Sequence, residues 1–112
     1  MKDKYLEIIK NSNIHRVDLN AAGEKNTRDY AYGRDHYSVN SELKAEIIFA
    51  DRGQTMPVKV LIKDKTFNKI VAEFADTASV SELKHALDAR VLYTRMEKSR
   101  KDAQGQGQVR VH

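Results

Sequence analysis

Residues 58–75, VKVLIKDKTFNKIVAEFA, decide the fold of this chain. Val58, Val60 and Ile62 recur at every second position, as in a strand that buries one face. A tight polar connection at residues 64–66 follows, and the apolar pattern resumes after it. We therefore predict a β-hairpin over residues 58–75, and so short a connection makes its two strands antiparallel.

Short elements also precede the hairpin. Residues 4–10 carry apolar side chains at helical spacing and predict a short helix, whereas the alternation over residues 14–19 predicts a strand. Residues 44–50, KAEIIFA, predict a further strand because three large apolar residues stand together. Residues 51–57 contain a glycine and the single proline of the chain, which is typical of a loop.

A long helix is predicted after the hairpin. Ser79 and Glu82 have the spacing of a capping box, in which the serine hydroxyl accepts the backbone N–H three residues further on. The helix should continue to about Ser99. At 100° per residue its apolar side chains form one stripe, which should pack on the sheet: Val80, Leu83, Leu87, Val91 and Thr94.

Together these elements predict an α+β fold. It has a short N-terminal helix, an antiparallel sheet of about five strands and a long C-terminal helix packed on the sheet. The sheet either stays open or curls toward a small barrel. We expect residues 1–99 to form a single domain, and residues 100–112, which are basic and rich in Gln and Gly, to form a flexible tail.

The composition excludes several classes of protein. The chain has 112 residues, with 20 Lys plus Arg, 16 Asp plus Glu and no Cys, which fits one globular domain. Without Cys there is no disulfide, no thiolate metal site and no cysteine nucleophile. No apolar run approaches the roughly 18 residues of a membrane span, and the N-terminus lacks the apolar core of a signal peptide. We therefore expect a cytoplasmic protein that binds no membrane, no metal and no cofactor.

The positive charge is concentrated near the C-terminus. Residues 90–112 contain six basic residues against two acidic ones, so they carry the whole net charge of +4. Such a localised surplus can attract nucleic acid or an acidic protein, although a solvated helix end explains it equally well. The predicted phosphate-binding residues here are Arg95, Lys98, Arg100 and Lys101.

A second candidate site lies in the aromatic stretch before residue 40. If residues 28–34 form a strand, Arg28, Tyr30, Tyr32 and Arg34 share one face. Tyrosine rings stack on bases for roughly 1–3 kcal/mol each, and guanidinium groups bind phosphates, so this row suits single-stranded nucleic acid. The competing interpretation is that the rings pack on a half-exposed strand with their hydroxyls in water.

The second half of the long helix has another apolar group on the side away from the stripe. It consists of Ala89, Leu92, Tyr93 and Met96. A helix with two apolar faces needs a second surface to cover the extra one. That surface is either another part of the same chain or the same helix of a second copy, and the second case predicts a homodimer.

From these features we predict a small, non-enzymatic regulatory or accessory protein that binds RNA or single-stranded DNA. The alternative is a protein-binding adaptor or inhibitor that acts through the second apolar face of the C-terminal helix. A third hypothesis is a metal-free ribonuclease centred on His36, with the histidine as general base and an arginine stabilising the phosphorane.

Overall fold

The computed structural model describes residues 1–17 and 33–111, with side chains up to residue 102. Within these residues, two helices flank five strands. Their bounds are α1 Lys2–Lys10, β1 His15–Val17, β2 Arg34–Ser38, β3 Leu43–Phe49, β4 Pro57–Asp64, β5 Lys69–Phe74 and α2 Thr77–Val111. The predicted α+β fold is therefore confirmed.

The strands form one sheet in the order in which they occur along the chain. Each strand pairs antiparallel with the next one, from β1 to β5. The sheet stays open, because among the described residues no pairing joins β1 to β5. The predicted hairpin is β4–β5, and its turn covers residues 65–68, so Phe67 lies exposed in the turn instead of starting the second strand.

One face of the sheet, which we call the inner face, packs against both helices. Alternate residues of β3 and β4 point into this core, among them Ala45, Ile47, Val60 and Ile62. On α2 the predicted apolar stripe is confirmed, since four of its members are buried and Thr94 is half-buried: Val80, Leu83, Leu87 and Val91. Each such side chain contributes roughly 1.5–3 kcal/mol when fully buried, so the stripe fixes α2 on the sheet.

The helix α1 covers the part of the core next to β5. Tyr5 and Ile9 are buried, and the Tyr5 ring meets the ring of Phe74 edge-on with 6.1 Å between the ring centroids. This contact joins α1 to the edge strand β5. The Arg90 side chain then ties α2 to the end of α1, because its Nε donates a hydrogen bond to the backbone oxygen of Ser12 at 2.5 Å.

The start of α2 differs from the prediction. Asp76, and not Ser79, caps the helix: the Asp76 carboxylate accepts the Ser79 N–H at 2.9 Å, and the Asp76 carbonyl accepts the Val80 N–H at 3.0 Å. A carboxylate at this end also gains from the positive end of the helix dipole, which a hydroxyl does not. The backbone hydrogen bond from Ser79 lowers the pKa of Asp76. The second partner of the predicted box, Glu82, pairs instead with Lys2 at 3.3 Å.

The end of α2 also differs, because the helix continues beyond Ser99 to Val111. Gln, Ala and charged residues have good helix propensity, and this outweighs the cost of roughly 1 kcal/mol for each of the two glycines. The separation of residues 100–112 as a tail stays a prediction. Along the described residues, no helix is long and apolar enough to cross a bilayer.

Candidate nucleic-acid interface on the open sheet face

The face of the sheet opposite to the helices, which we call the outer face, carries the candidate site. Because side chains alternate along a strand, residues that sit between core positions point to this face. Val17, His36, Glu46, Leu61 and Glu73 lie directly opposite one another across the five strands. The row thus places one carboxylate, Glu46, in the centre of the sheet.

Glu46 is held by three basic side chains. Its Oε1 accepts a hydrogen bond from Arg34 Nη1 at 2.7 Å, its Oε2 accepts one from Lys63 Nζ at 2.7 Å, and His36 Nδ1 lies 3.9 Å from Oε2. We call these four residues the Glu46 cluster. Glu46 is only 2% exposed, whereas the three basic residues around it are partly exposed. Arg34 keeps 25% of its side-chain surface exposed, whereas the His36 and Lys63 side chains keep 13% each, so Arg34 is the cation of the cluster most accessible to solvent.

The charge state of Glu46 follows from these contacts. Burial alone raises the pKa of a carboxyl group, but the hydrogen bonds and the Coulomb attraction of Lys63 and Arg34 outweigh it, so the pKa of Glu46 is lowered. Glu46 is thus ionised at neutral pH. An ionised carboxylate in a low-dielectric site fixes the side chains of its cationic partners, so Arg34 and Lys63 have defined positions on the outer face.

Further lysines extend the positive surface along neighbouring strands. Lys44 lies opposite Lys63 in the pairing of β3 with β4, and within the described residues Lys44 makes no ion pair. Two like charges directly opposite each other repel, so a bound anion would stabilise this part of the sheet. Lys59 belongs to the row of the outer face next to that of Glu46. It pairs with Glu73 at 3.5 Å, a separation typical of a weak surface pair.

Of the predicted Arg and Tyr row, Arg34 is the one residue that the structure describes. It starts β2, points to the outer face and binds Glu46. Arg28, Tyr30 and Tyr32 lie outside the described residues. His36 follows two positions after Arg34 on the same face, as the ribonuclease hypothesis requires.

The predicted basic end of α2 is divided between two sides of the helix. Lys98 and Lys101 line a cleft of about 400 Å³ at the β1 edge of the sheet, together with His15, the first residue of β1, and the acidic residues Glu97 and Asp102. Arg95 and Arg100 are exposed but do not line this cleft, and Arg100 pairs with Glu97 at 3.3 Å. In the described structure, therefore, Lys98 and Lys101 are the pair placed beside the sheet.

The predicted interface residues are all exposed. Leu92, Tyr93 and Met96 have 58%, 48% and 56% of their surface in contact with solvent, and Ala89 is exposed too. A groove of about 510 Å³ lies beside them between α1 and α2, lined by Leu6, Lys10, Glu82, His85, Ala86, Ala89, Arg90 and Tyr93. The Arg90 guanidinium stands over the Tyr93 ring, 4.3 Å from its centroid.

Sequence reasoning missed Glu46 and Lys63. A signal was present for Glu46, the one acidic residue of β3, which stands between Ala45 and Ile47 on the face opposite to the core positions. A charge at the centre of a strand needs a partner. Which cation of β4 meets Glu46 depends on the pairing register, which places Leu61 directly opposite Glu46 and Lys63 two positions further along.

Among the residues that the structure describes, no three His, Asp or Glu side chains gather as metal ligands would. Comparison with known proteins found no matching family, no matching curated protein and no matching solved structure.

Proposed function

We propose that this chain is a cytoplasmic accessory protein that binds RNA or single-stranded DNA through the outer face of its sheet. The observation that carries the proposal is the Glu46 cluster, in which a buried carboxylate holds Arg34 and Lys63 in place on the face of the sheet opposite to the helices. Phosphate groups bind arginine and lysine by charge-assisted hydrogen bonds, and fixed side chains lose less entropy on binding.

The other basic residues of the outer face and of α2 indicate the path along which a single strand would lie. A second row of directly paired residues runs from Lys63 through Lys44 and Ser38 to His15. His15 also lines the cleft that holds Lys98 and Lys101. A single strand laid along this row would pass Lys63 and Lys44 and reach the two lysines of the cleft on α2, and Tyr30 and Tyr32 would supply stacking surfaces.

The proposal is tested by fluorescence anisotropy of labelled RNA and single-stranded DNA over a salt series. The logarithm of the binding constant should fall linearly with the logarithm of salt concentration, with a slope of about −0.7 per phosphate contact. Lys44→Glu should weaken binding at low salt by roughly tenfold or more and flatten the slope. The matched control is Lys4→Glu on α1, whose side chain lies over the Tyr5 ring in the helix layer; it should bind as the unmodified protein does.

The tyrosines are tested separately. Tyr30→Ala combined with Tyr32→Ala should abolish measurable binding, because each lost stacking contact costs roughly 1–3 kcal/mol. Equal affinity in this double variant would remove the tyrosines from the site while leaving the lysine row. Absence of binding by the unmodified protein at low salt would refute the proposal and favour the protein-binding alternative.

A second candidate function is cleavage of RNA, favoured by the distance of 3.9 Å between His36 and Glu46. When a phosphate draws Arg34 and Lys63 away, the freed Glu46 carboxylate could take the proton of a 2′-hydroxyl. The 2′-oxygen would attack phosphorus, the bond to the 5′-oxygen would break, and His36 would give that oxygen a proton. Release of a 2′,3′-cyclic phosphate that stops in His36→Ala, with unchanged binding of a 2′-deoxy strand, would support it; equal cleavage by both proteins would exclude it.

A further inference from the structure

The exposed side of α2 has the spacing of a helix–helix seam. Ala89, Leu92 and Met96 follow His85 at alternating intervals of four and three residues, and Ser99 continues the series. This is the spacing at which two helices pack side by side. Met96 lies nine residues after the core residue Leu87, which at 100° per residue is half a turn away from it. The seam therefore faces directly away from the sheet.

Large and small residues are separated along this seam. The earlier part carries Ala86 and Ala89, and the later part carries Leu92, Tyr93 and Met96. A parallel pairing would set large against large and small against small. An antiparallel pairing sets Leu92 and Tyr93 against alanines, which is the complementarity that dense packing requires.

One antiparallel register satisfies packing and charge together. With Ala89 opposite the partner's Leu92, Ala86 lies opposite the partner's Tyr93 and His85 opposite the partner's Met96. Ala86 and His85 both line the groove between α1 and α2, so the two larger side chains find space there. In the same register Asp88, whose carboxylate binds Tyr37 and Lys84 and keeps 40% of its side-chain surface exposed, lies beside the partner's Arg95, at the flanking positions where opposite charges fix orientation. Two-fold symmetry makes every one of these contacts twice.

We propose that two copies of this chain pair through α2 in this antiparallel register, so that the two outer faces point in opposite directions. The layers then follow one another as sheet, helix, helix and sheet. Resting on the proposed function, this arrangement assigns the dimer a bridging role, because one molecule would hold two separate single strands of nucleic acid.

The pairing is tested on the full chain by light scattering after size exclusion, between about 5 and 100 μM. The unmodified chain should have twice the monomer mass of 12.8 kDa. Leu92→Glu should be a monomer, with a dissociation constant raised at least 100-fold. Phe67→Glu is the matched control, since Phe67 is also exposed but lies in the β4–β5 turn; it should stay dimeric. A monomeric unmodified chain would overturn the proposal.

The register is tested by cross-linking, for which the absence of Cys gives a clean background. An equal mixture of Ala89→Cys chains and Leu92→Cys chains should form the mixed disulfide on mild oxidation. If Leu92→Cys chains alone cross-link as fast as the mixture, the pairing is parallel and the proposed register is wrong.

Bridging is measured with two oligonucleotides that carry a donor and an acceptor dye. The unmodified protein should bring the dyes together, whereas Leu92→Glu should bind each strand without energy transfer. A dimer that binds strands and never joins them would overturn the bridging role. A dimer that binds no nucleic acid would leave the pairing intact and refute the proposed function alone.

Discussion

At the scale of single residues, Glu46 has the largest influence on the outer face. A buried carboxylate held by two cations stabilises a protein little compared with apolar side chains of similar volume, because desolvation offsets the attraction. Removal of one partner, however, leaves the others buried without compensation. The main effect of Glu46 is therefore to fix the positions of Arg34 and Lys63. Because these two cations are present, the stability of the fold depends on the carboxylate that neutralises them.

We expect Glu46→Gln to lower the free energy of unfolding by about 3–5 kcal/mol, because it leaves the charges of Arg34 and Lys63 in a partly buried site. Urea denaturation measures the change. Glu73→Gln, which removes an exposed carboxylate beside Lys59, serves as the control and should cost about 1 kcal/mol or less. If the two variants lost equal free energy of unfolding, Glu46 would contribute no more to stability than an exposed carboxylate does.

The lowered pKa of Glu46 also predicts a pH dependence of stability. Its contribution is fully present above the ordinary glutamate value of 4.5 and is lost as the pH falls through the lower value of the folded state. The difference in unfolding free energy between the unmodified protein and Glu46→Gln should therefore be constant near neutral pH and shrink below about pH 4.5. A difference that stays constant down to pH 2 would contradict the ion-pair assignment.

At the scale of elements, the contact between β2 and α2 joins the two layers. The buried Tyr37 hydroxyl donates a hydrogen bond to Asp88 at 2.7 Å, and Lys84 binds the other carboxylate oxygen at 2.6 Å. Burial and this hydrogen bond raise the pKa of Tyr37. Sequence patterns predicted α2 but not a strand over Arg34–Ser38, and the pair is 51 residues apart in the chain, so its contact depends on how the helix lies on the sheet.

Tyr37→Phe keeps the packed ring and removes only the hydroxyl. It should lower the free energy of unfolding by about 1.5–3 kcal/mol, the range for hydrogen bonds to charged groups, because Asp88 loses a buried donor. Thermal denaturation followed by circular dichroism measures this. Tyr93→Phe, whose hydroxyl lies on the exposed side of α2, should change the melting temperature little.

The cap of α2 gives a prediction that separates the observed start from the one expected from sequence. Asp76→Ala should lower the free energy of unfolding by about 0.5–2 kcal/mol, since it removes the acceptor of the Ser79 N–H. Ser79→Ala keeps that backbone donor and should cost less. If the serine variant were the less stable of the two, the capping box of the sequence pattern would be the correct description.

At the scale of the whole molecule, local patterns were sufficient for the architecture. Alternation predicted the β4–β5 hairpin, a run of large apolar residues predicted β3, and the stripe on α2 predicted which side of that helix is buried. The candidate site was predicted in part: Arg34 lies on the open face, but its partners Glu46 and Lys63 come from other strands. Their meeting depends on strand register, which a single sequence does not specify residue by residue.

A shortened chain ending at Asp102 tests where the folded unit ends. Among the residues whose side chains the structure describes, none after Val91 is buried, and the shortened chain keeps the whole core stripe of α2. The shortened chain should keep the free energy of unfolding of the full chain within about 0.5 kcal/mol, as is usual for changes away from the core. A larger loss would place the last residues within the domain.

The order of the elements also has a consequence for synthesis in the cell. Chains emerge from the ribosome N-terminus first, so neighbouring strands of this sheet can form hairpins as soon as each one appears. The apolar side of the sheet, however, has its main cover only when Leu83, Leu87 and Val91 arrive, after all five strands. A nascent chain interrupted before α2 would expose that surface and be a ready substrate for chaperones and proteases, so that chains without α2 do not accumulate.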